Sequence, residues 1–482
     1  MATTSNAAPG ATTATFDHAA NGDEKLSPGI AAGSMPPSSQ RSSGQHKDEE
    51  VLPAGLFHQP THHEVDIEDY FRGPRDVNRH SKWPSFMRMH GSILPKMIVP
   101  LSFVAGWTTL IVLISRLVHS IEIQSTLLTV LGFVVGLALS FRSTTAYERF
   151  SEGRRYWSLL ILTSRNLARL IWVHARERHD VSPELGKSDL LAKLAALQLV
   201  NAFAVSLKHR LRFEPSTDYP DLAPLLVNLR TLAGEADQTH LHMRKHSRAK
   251  SIGQYLGIPM AESNPRKLLK KTKENLGNTP LEVLTYLSAY AEEIMQNKTL
   301  SIGCQQSQIM TLLATMTDVL TNVERVVNTP LPVAYSISIA QITWAYVLAL
   351  PFQLVTYLDW VAIPGTIIAG YIILGLAQIG RELENPFGMD VNDLPLDQYC
   401  SELANDIDAL TSMPAPLNVE DWTKDRGSKV LWPLSQMEYK AWQNRTVPEI
   451  RAALRAKAAS RDVKTDRMNT FVESVGLTQN SV

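Results

Sequence analysis

The sequence predicts an all-α membrane protein with four transmembrane helices and a large cytosolic helical region. The first observation is a set of apolar segments that are nearly free of charged residues, at about residues 97–118, 124–141, 333–350 and 361–379. Each is close to the length of about 20 residues that a helix needs to cross a bilayer. The second observation is that the segments form two pairs, separated by a long region whose apolar residues recur at helical spacing. This pattern is typical of two membrane hairpins joined to a helical body.

The composition divides the chain into three regions. Residues 1–80 are rich in Ala, Thr, Ser, Gly and Pro, which predicts a disordered N-terminal tail because too little apolar surface is available for burial. Residues 81–410 contain all four predicted spans, together with a basic, loop-rich insertion at 213–280. Residues 411–482 are predicted to form a cytosolic C-terminal tail that is partly helical, with a helix starting near Pro448.

The second span carries an apolar stripe. Phe133, Leu137 and Phe141 fall at i, i+4 and i+8, which places them on one face of a helix. Gly132 and Gly136 form a G-x-x-x-G on a neighbouring face, and small residues at this spacing let helices approach closely in lipid. These features suit a pore-lining helix and an ordinary membrane helix equally well.

One segment of the middle region is apolar enough to resemble a further span. Lys193 and Lys208 interrupt this segment, Leu190–Leu211, and lysines are costly inside a bilayer. We therefore predict that it is a buried helix of the cytosolic body. Two amphipathic helices are predicted after it, at Pro280–Ala291 and Leu300–Val327.

An acidic run follows the fourth span. Asp390, Asp393 and Asp397, with Asn392 among them, offer oxygen ligands of the kind that hard cations prefer. The alternative is that Asp393 or Asp397 caps a helix that starts near Pro395. The spacing differs from that of an EF-hand loop, so local chemistry favours the capping role over a metal ion.

The distribution of basic residues predicts the orientation of the chain. Basic residues flank the open ends of both hairpins: Lys82, Arg88, Lys96, Arg142, Arg149, Arg154, Arg155 and Arg381. The short links within the hairpins have few ionisable residues, such as Arg116 and Asp359. The positive-inside rule then places both termini and the middle region in the cytosol of a multi-pass membrane protein.

Composition and motifs narrow the class of function. Lys and Arg total 47, as do Asp and Glu, so the charge gives no indication of a nucleic-acid partner, and we expect none. Cys304 and Cys400 are far apart, which argues against a disulfide framework and a cysteine zinc site. The sequence contains no G-x-S-x-G, H-E-x-x-H, Walker A or G-x-G-x-x-G motif. We therefore expect a protein that is not an enzyme and requires no cofactor.

Several motifs together carry a family resemblance. They are F-R-S-T-T-A-Y-E-R-F-S-E-G-R-R-Y-W at 141–157, G-S-I-L-P-K at 91–96, N-T-P-L-P-V-A-Y at 328–335, L-P-F-Q-L-V at 350–355 and N-P-F-G-M-D-V-N-D-L-P-L-D at 385–397. In this order they resemble the bestrophin family of ion channels, in the branch with plant, fungal and bacterial members. The resemblance implies that residues 81–410 form a bestrophin-like channel domain that assembles as a homopentamer around one pore.

The resemblance also gives a role to the second span, which lines the narrow neck of the pore in this family. The three apolar neck positions match Phe133, Leu137 and Phe141. Arg142, at the end of the neck, would then raise the local concentration of anions. The alternative for Arg142 and the following arginines is cytosolic retention and salt bridges between subunits, with Glu148 or Glu152.

Animal members of the family carry a calcium clasp after the N-P-F-G motif. Asp390 and Asp393 match its two side-chain carboxylates, and Glu382 and Asn385 match positions that bind through backbone carbonyls. The sequence departs from the family pattern at Val391–Asn392, which interrupts the continuous acidic run. Calcium is thus the one candidate cofactor, and two carboxylates would make a sparse site for it.

Three hypotheses of function remain open from the sequence. The leading one is passive conduction of chloride or other small anions through a pore with an apolar neck. The second keeps the fold but conducts cations, and the absence of an acidic ring beside the neck favours anions over cations. The third is a non-conducting membrane scaffold whose basic insertion and tails recruit partners.

Overall fold

The computed structural model describes residues 84, 87–89, 91–118, 125–236, 276–413, 427–432 and 435–458. Within these residues the regular structure is entirely helical, which agrees with the predicted all-α class. The predicted disordered tail at 1–80 lies outside the described residues. The same is true of most of the 213–280 insertion and of the last part of the C-terminal tail.

The helices follow one another in the order that the hydropathy pattern predicts. The membrane and body helices are α1 Leu94–Leu117, α2 Ser125–His174, α3 Pro183–Leu211, α4 Ala223–Leu226, α5 Leu232–Glu235, α6 Thr279–Gln296, α7 Gly303–Asn328, α8 Val333–Leu358, α9 Ala362–Leu383, α10 Leu396–Thr411 and α11 Tyr439–Gln443. Short 3-10 turns occupy Arg178–Asp180 and Asp359–Val361. A further helix covers 447–458, as predicted near Pro448, and Arg451 and Arg455 are exposed on it.

The second span is the first part of one long helix. Since α2 has 50 residues and an α-helix rises about 1.5 Å per residue, α2 is about 75 Å long. A bilayer core is only about 30 Å thick, so α2 extends well beyond it. The sequence contains no Pro between residues 125 and 174 to interrupt the helix. One rigid element therefore links the predicted membrane region to the helical body.

The other spans differ from the predicted bounds mainly at their ends. Pro351, predicted at the edge of the third span, lies inside α8, which continues to Leu358. Pro364 lies in the first turn of α9, where the missing backbone N–H leaves no hydrogen bond unmade.

Burial separates the membrane candidates from the body. Four described segments are long and apolar enough to cross a membrane: Leu94–Leu117, Thr126–Asp180, Pro183–Leu211 and Val333–Leu383. The last of these contains two helices, α8 and α9. Over the most apolar window, the segment at α3 is 56% buried, whereas the other three are 22–28% buried. Since Lys193 of α3 is buried beside Glu177, with 2.9 Å between Nζ and Oε1, we assign α3 to the helical body, as predicted.

The largest hydrophobic core lies in the body. It is formed by the second half of α2 together with α3, α6, α7 and α10. The loop after α9 joins the same core through Phe387, which is fully buried. A Cβ atom on Gly153 of α2 would lie 2.9 Å from the Phe387 ring, so the glycine permits this close contact. Smaller apolar clusters connect α1, α8, α9 and the first half of α2.

Candidate functional site

The apolar stripe of α2 faces away from its own subunit. Phe133, Leu137 and Phe141 are 73%, 47% and 59% exposed, respectively. On the opposite face, Val135 and Leu139 are 2% and 3% exposed and pack against α8. Large apolar side chains that remain exposed at i, i+4 and i+8 form a continuous apolar surface. Such a surface contacts a neighbouring molecule or lipid, or it lines a pore.

The two glycines beside the stripe have different surroundings. A Cβ atom on Gly132 would lie 2.9 Å from the hydroxyl oxygen of Tyr346, so Gly132 allows α8 to approach α2 closely. Gly136 has no heavy atom within 4 Å of the corresponding position among the neighbours in its own chain. The close-packing role predicted for both glycines therefore applies within the subunit to Gly132 alone.

Arg142 does not lie on the exposed stripe. It is 4% exposed, and its Nη2 atom is 3.6 Å from the Glu384 carboxylate at the end of α9. Its side chain also packs over Gly380, where a Cβ atom would lie 3.5 Å from Arg142 Cγ. Successive residues of an α-helix are about 100° apart, so Phe141 and Arg142 point in different directions. Within one subunit Arg142 therefore packs against α9, and its effect on the local concentration of anions at the pore stays a prediction.

Arg149 has a structural role that the sequence did not reveal. Its Nη2 atom donates to the carbonyl oxygen of Val326 at 2.6 Å, and its Nη1 atom donates to the carbonyl oxygen of Thr329. Its Nε atom donates to the carbonyl oxygen of Glu384 at 3.1 Å. The last carbonyls of a helix lack partners within the helix. One guanidinium thus joins α2 to the C-terminal ends of α7 and α9.

The acidic loop, residues 384–395 between α9 and α10, contacts a lysine at the start of α1. Lys96 Nζ is 2.6 Å from Glu382 Oε1 and 3.3 Å from Asp390 Oδ1. Asn392 Nδ2 donates to Glu382 Oε2 at 2.9 Å and to the carbonyl oxygen of Gly91 at 3.2 Å. The segment before α1, the end of α9 and the acidic loop therefore form one polar junction.

Asp393 stabilises the loop from inside. It is 7% exposed, and its Oδ2 atom accepts a hydrogen bond from the backbone N–H of Asp390 at 2.7 Å. Burial raises the pKa of Asp393 to about 8, and the nearby Asp390 carboxylate acts in the same direction. A Cβ atom on Gly388 would lie 2.5 Å from Asp393 Oδ2, so the loop needs a glycine there.

The predicted capping of α10 is wrong. The N-cap residue is Pro395, and no side chain caps the helix. Asp397 lies inside the first turn of α10, where its Oδ1 atom is 2.6 Å from Lys208 Nζ and its Oδ2 atom is 2.8 Å from Arg212 Nη2. Its carboxylate therefore joins α10 to the end of α3.

The side chains at the calcium site predicted by resemblance contact donors of the chain itself. In the part of the chain that the structure describes, no group of three or more His, Cys, Asp or Glu side chains is placed to hold a metal ion. The ammonium group of Lys96 contacts both Glu382 and Asp390, and Asp393 is turned toward a backbone N–H. Calcium takes six to eight oxygen ligands, whereas both carboxylate oxygens of Glu382, one of Asp390 and one of Asp393 face donors of the chain itself.

A buried polar network, also unforeseen from the sequence, lies at the end of α3. His209 Nδ1 is 2.7 Å from Glu214 Oε2, and its Nε2 atom is 3.0 Å from Asp221 Oδ1. Tyr219 stacks on the imidazole with 4.3 Å between ring centroids. Burial by itself would lower the pKa of His209, but hydrogen bonds to Asp221 and Glu214 raise it above its ordinary value. Lys208 extends the network to α10.

Comparison with known proteins gives consistent matches over the same region. Residues 75–409 match the family described as "Bacterial/Fungal Bestrophin protein". A voltage-dependent anion channel-forming protein of Synechocystis is 33% identical over 334 residues, which are 68% of this chain and 91% of the relative. A protein of the same description from Nostoc is 33% identical over 291 residues, covering 60% of this chain and 78% of the relative.

Solved structures also match this chain, at lower identity than these relatives. A bacterial bestrophin homologue from Klebsiella pneumoniae matches with a TM-score of 0.48 and 20% identity, over 66% of this chain and 100% of that chain. The family match covers more than half of the 482 residues. The chain therefore belongs to the bacterial and fungal bestrophin family.

Proposed function

We propose that this protein is a passive anion channel, with chloride as the main conducted ion, and that α2 lines its pore. The observation that carries the proposal is the exposed stripe of Phe133, Leu137 and Phe141 on a helix whose opposite face is buried. Relatives in the family are named anion channel-forming proteins, which supports a channel rather than an enzyme.

The proposed pore requires several copies of the chain, because one subunit leaves the stripe exposed. In the homopentamer expected for the family, each stripe residue would contribute one of five side chains to a ring. Four residues of an α-helix rise about 6 Å, so the three rings would be about 6 Å apart. Apolar constrictions of this kind can gate conduction by losing their water. The stripe would then be the narrow neck of the channel.

The proposed orientation places the body in the cytosol. The long second half of α2 and the helices packed on it carry the positive charge that flanks the spans. Both termini would lie on this same side, because the spans form two hairpins. Protease protection in sealed vesicles tests this orientation, and protection of the body from externally added protease in inside-out vesicles would contradict it.

A planar-bilayer recording under a chloride gradient tests the function directly. We expect currents from the purified full chain whose reversal potential follows the chloride gradient. A reversal potential that follows the cation gradient would replace the proposal with a cation channel of the same fold. The absence of current in every salt, from protein that is folded and correctly assembled, would favour a membrane scaffold instead.

Substitution of the stripe tests the neck. We expect Phe133→Ala, Leu137→Ala and Phe141→Ala, combined in one variant, to widen the constriction and raise the open-channel conductance or remove its gating. Val134→Ala is a matched control, because Val134 is also exposed on α2 but points about 100° away from Phe133. Unchanged conductance and gating in the triple variant would refute the neck assignment. Native mass spectrometry of the same preparations measures the number of subunits.

A further inference from the structure

A lysine side chain supplies a positive charge next to the acidic loop after α9. Lys96 is in the first turn of α1, and its side chain reaches the end of α9 and the acidic loop. The separation between Lys96 and Asp390 along the chain is 294 residues, so the contact joins two distant parts of the sequence. The Lys96 and Glu382 side chains are 21% and 7% exposed, and ion pairs that are partly removed from water are screened less by salt than fully exposed pairs.

All three carboxylates of the junction direct at least one oxygen at a donor. Glu382 uses one oxygen for Lys96 and the other for the amide of Asn392, at 2.6 Å and 2.9 Å. Asp390 offers Oδ1 to Lys96, and Asp393 offers Oδ2 to a backbone N–H. A divalent ion could bind only after Lys96 had moved away, because the ammonium group occupies the position between the two carboxylates.

The junction is also connected to the core of the body. The backbone N–H of Leu394 donates to the carbonyl oxygen of Pro386 at 2.9 Å, which closes the acidic loop. Between these two residues, Phe387 is buried against Gly153 of α2. A contact between Lys96 and the loop therefore fixes the start of α1 relative to the long helix that carries the stripe.

We propose that Lys96 is a tethered cation that takes the place of a divalent ion at this junction. Its ammonium group neutralises Glu382 and Asp390 and holds the start of α1 against the acidic loop, so the junction assembles without calcium. This proposal concerns the stability of the junction and does not depend on which ion the protein conducts.

Thermal unfolding of the purified full chain in detergent tests the proposal. We expect the wild-type midpoint to be the same in EDTA, in calcium chloride and in magnesium chloride. We expect Lys96→Met to lower the midpoint in EDTA, because two carboxylates lose their counter-ion, and calcium to restore part of the loss. Lys187→Met is a matched control, since Lys187 is exposed on α3, and we expect it to resemble the wild type in all three solutions.

Two further variants keep the test decisive if Lys96→Met folds poorly. Lys96→Arg retains the charge, and we expect a midpoint close to that of the wild type with no response to calcium. Lys96→Met combined with Glu382→Gln removes both charges of the closest pair, and we expect a smaller loss than Lys96→Met alone and no rescue by calcium. The proposal would be overturned if calcium raised, or EDTA lowered, the unfolding midpoint of the wild type. It would also be overturned if Lys96→Met had the wild-type midpoint, or if calcium did not raise the midpoint of Lys96→Met.

Discussion

The guanidinium of Arg149 offers the sharpest test of how the long helix is held in the body. It donates to carbonyl oxygens of Val326, Thr329 and Glu384, at the ends of α7 and α9. Arg149→Met keeps most of the apolar stem of the side chain but removes all three donors. A hydrogen bond from a charged donor contributes about 1.5–3 kcal/mol, and water can reach part of this half-buried site. We therefore expect the variant to lose about 2–4 kcal/mol of unfolding free energy.

Arg165→Met is the matched control, since it changes the same residue type on the same helix. Arg165 pairs with Glu402 at 2.8 Å and with Asp406 at 2.6 Å, but its side chain is 45% exposed. Exposed ion pairs contribute about 0–1 kcal/mol, so we expect a much smaller loss. Tryptophan fluorescence during chemical unfolding in detergent measures both variants. Equal losses in the two variants would refute the role given to Arg149.

Two other contacts lead to predictions of stability. Gly153→Ala places a Cβ atom 2.9 Å from the fully buried ring of Phe387, and overpacking of this kind lowers the unfolding free energy by about 1–3 kcal/mol. We therefore expect faster proteolysis of the loop after α9. An unchanged cleavage rate would contradict this packing argument. The raised pKa of His209 means that its charge stabilises the fold below the ordinary histidine pKa of about 6.5, and that this stabilisation is lost as the pH rises through the higher folded-state value. We expect His209→Gln to flatten the fall in stability across this pH range, and a variant whose pH profile matches the wild type would show that Glu214 and Asp221 do not depend on the imidazolium.

Periodicity and length predicted the helices well, because these signals are local. Helices lie at nearly the predicted positions of the four spans, of the buried helix α3 and of the amphipathic helices α6 and α7. Their ends were less accurate: the third helix continues through Pro351 to Leu358. The position of the neck on a shared pore axis stays a prediction, because it depends on how several subunits assemble, and a single chain does not show that assembly.

The acidic loop shows why local motifs were insufficient at the junction. The spacing of Asp390, Asp393 and Asp397 allowed either a metal ion or a helix cap. In the structure, the partner of Asp390 is Lys96, which lies far away in sequence, and Asp397 reaches α3 instead of the start of its own helix. No reading of the neighbouring residues could have found these partners, since tertiary packing determines them.

The helical phase of α2 explains why the stripe is exposed whereas Arg142 is buried. Val135, Leu139, Arg142 and Ala146 follow one another at intervals of four, three and four residues, and all four are buried. These intervals keep one face of the helix against its own subunit as α2 passes from apolar to charged sequence. Phe141 lies outside this buried face and Arg142 lies within it, because neighbours in sequence are about 100° apart on a helix. The first arginine after the stripe therefore packs against the end of α9 within its own subunit and does not extend the exposed face of α2.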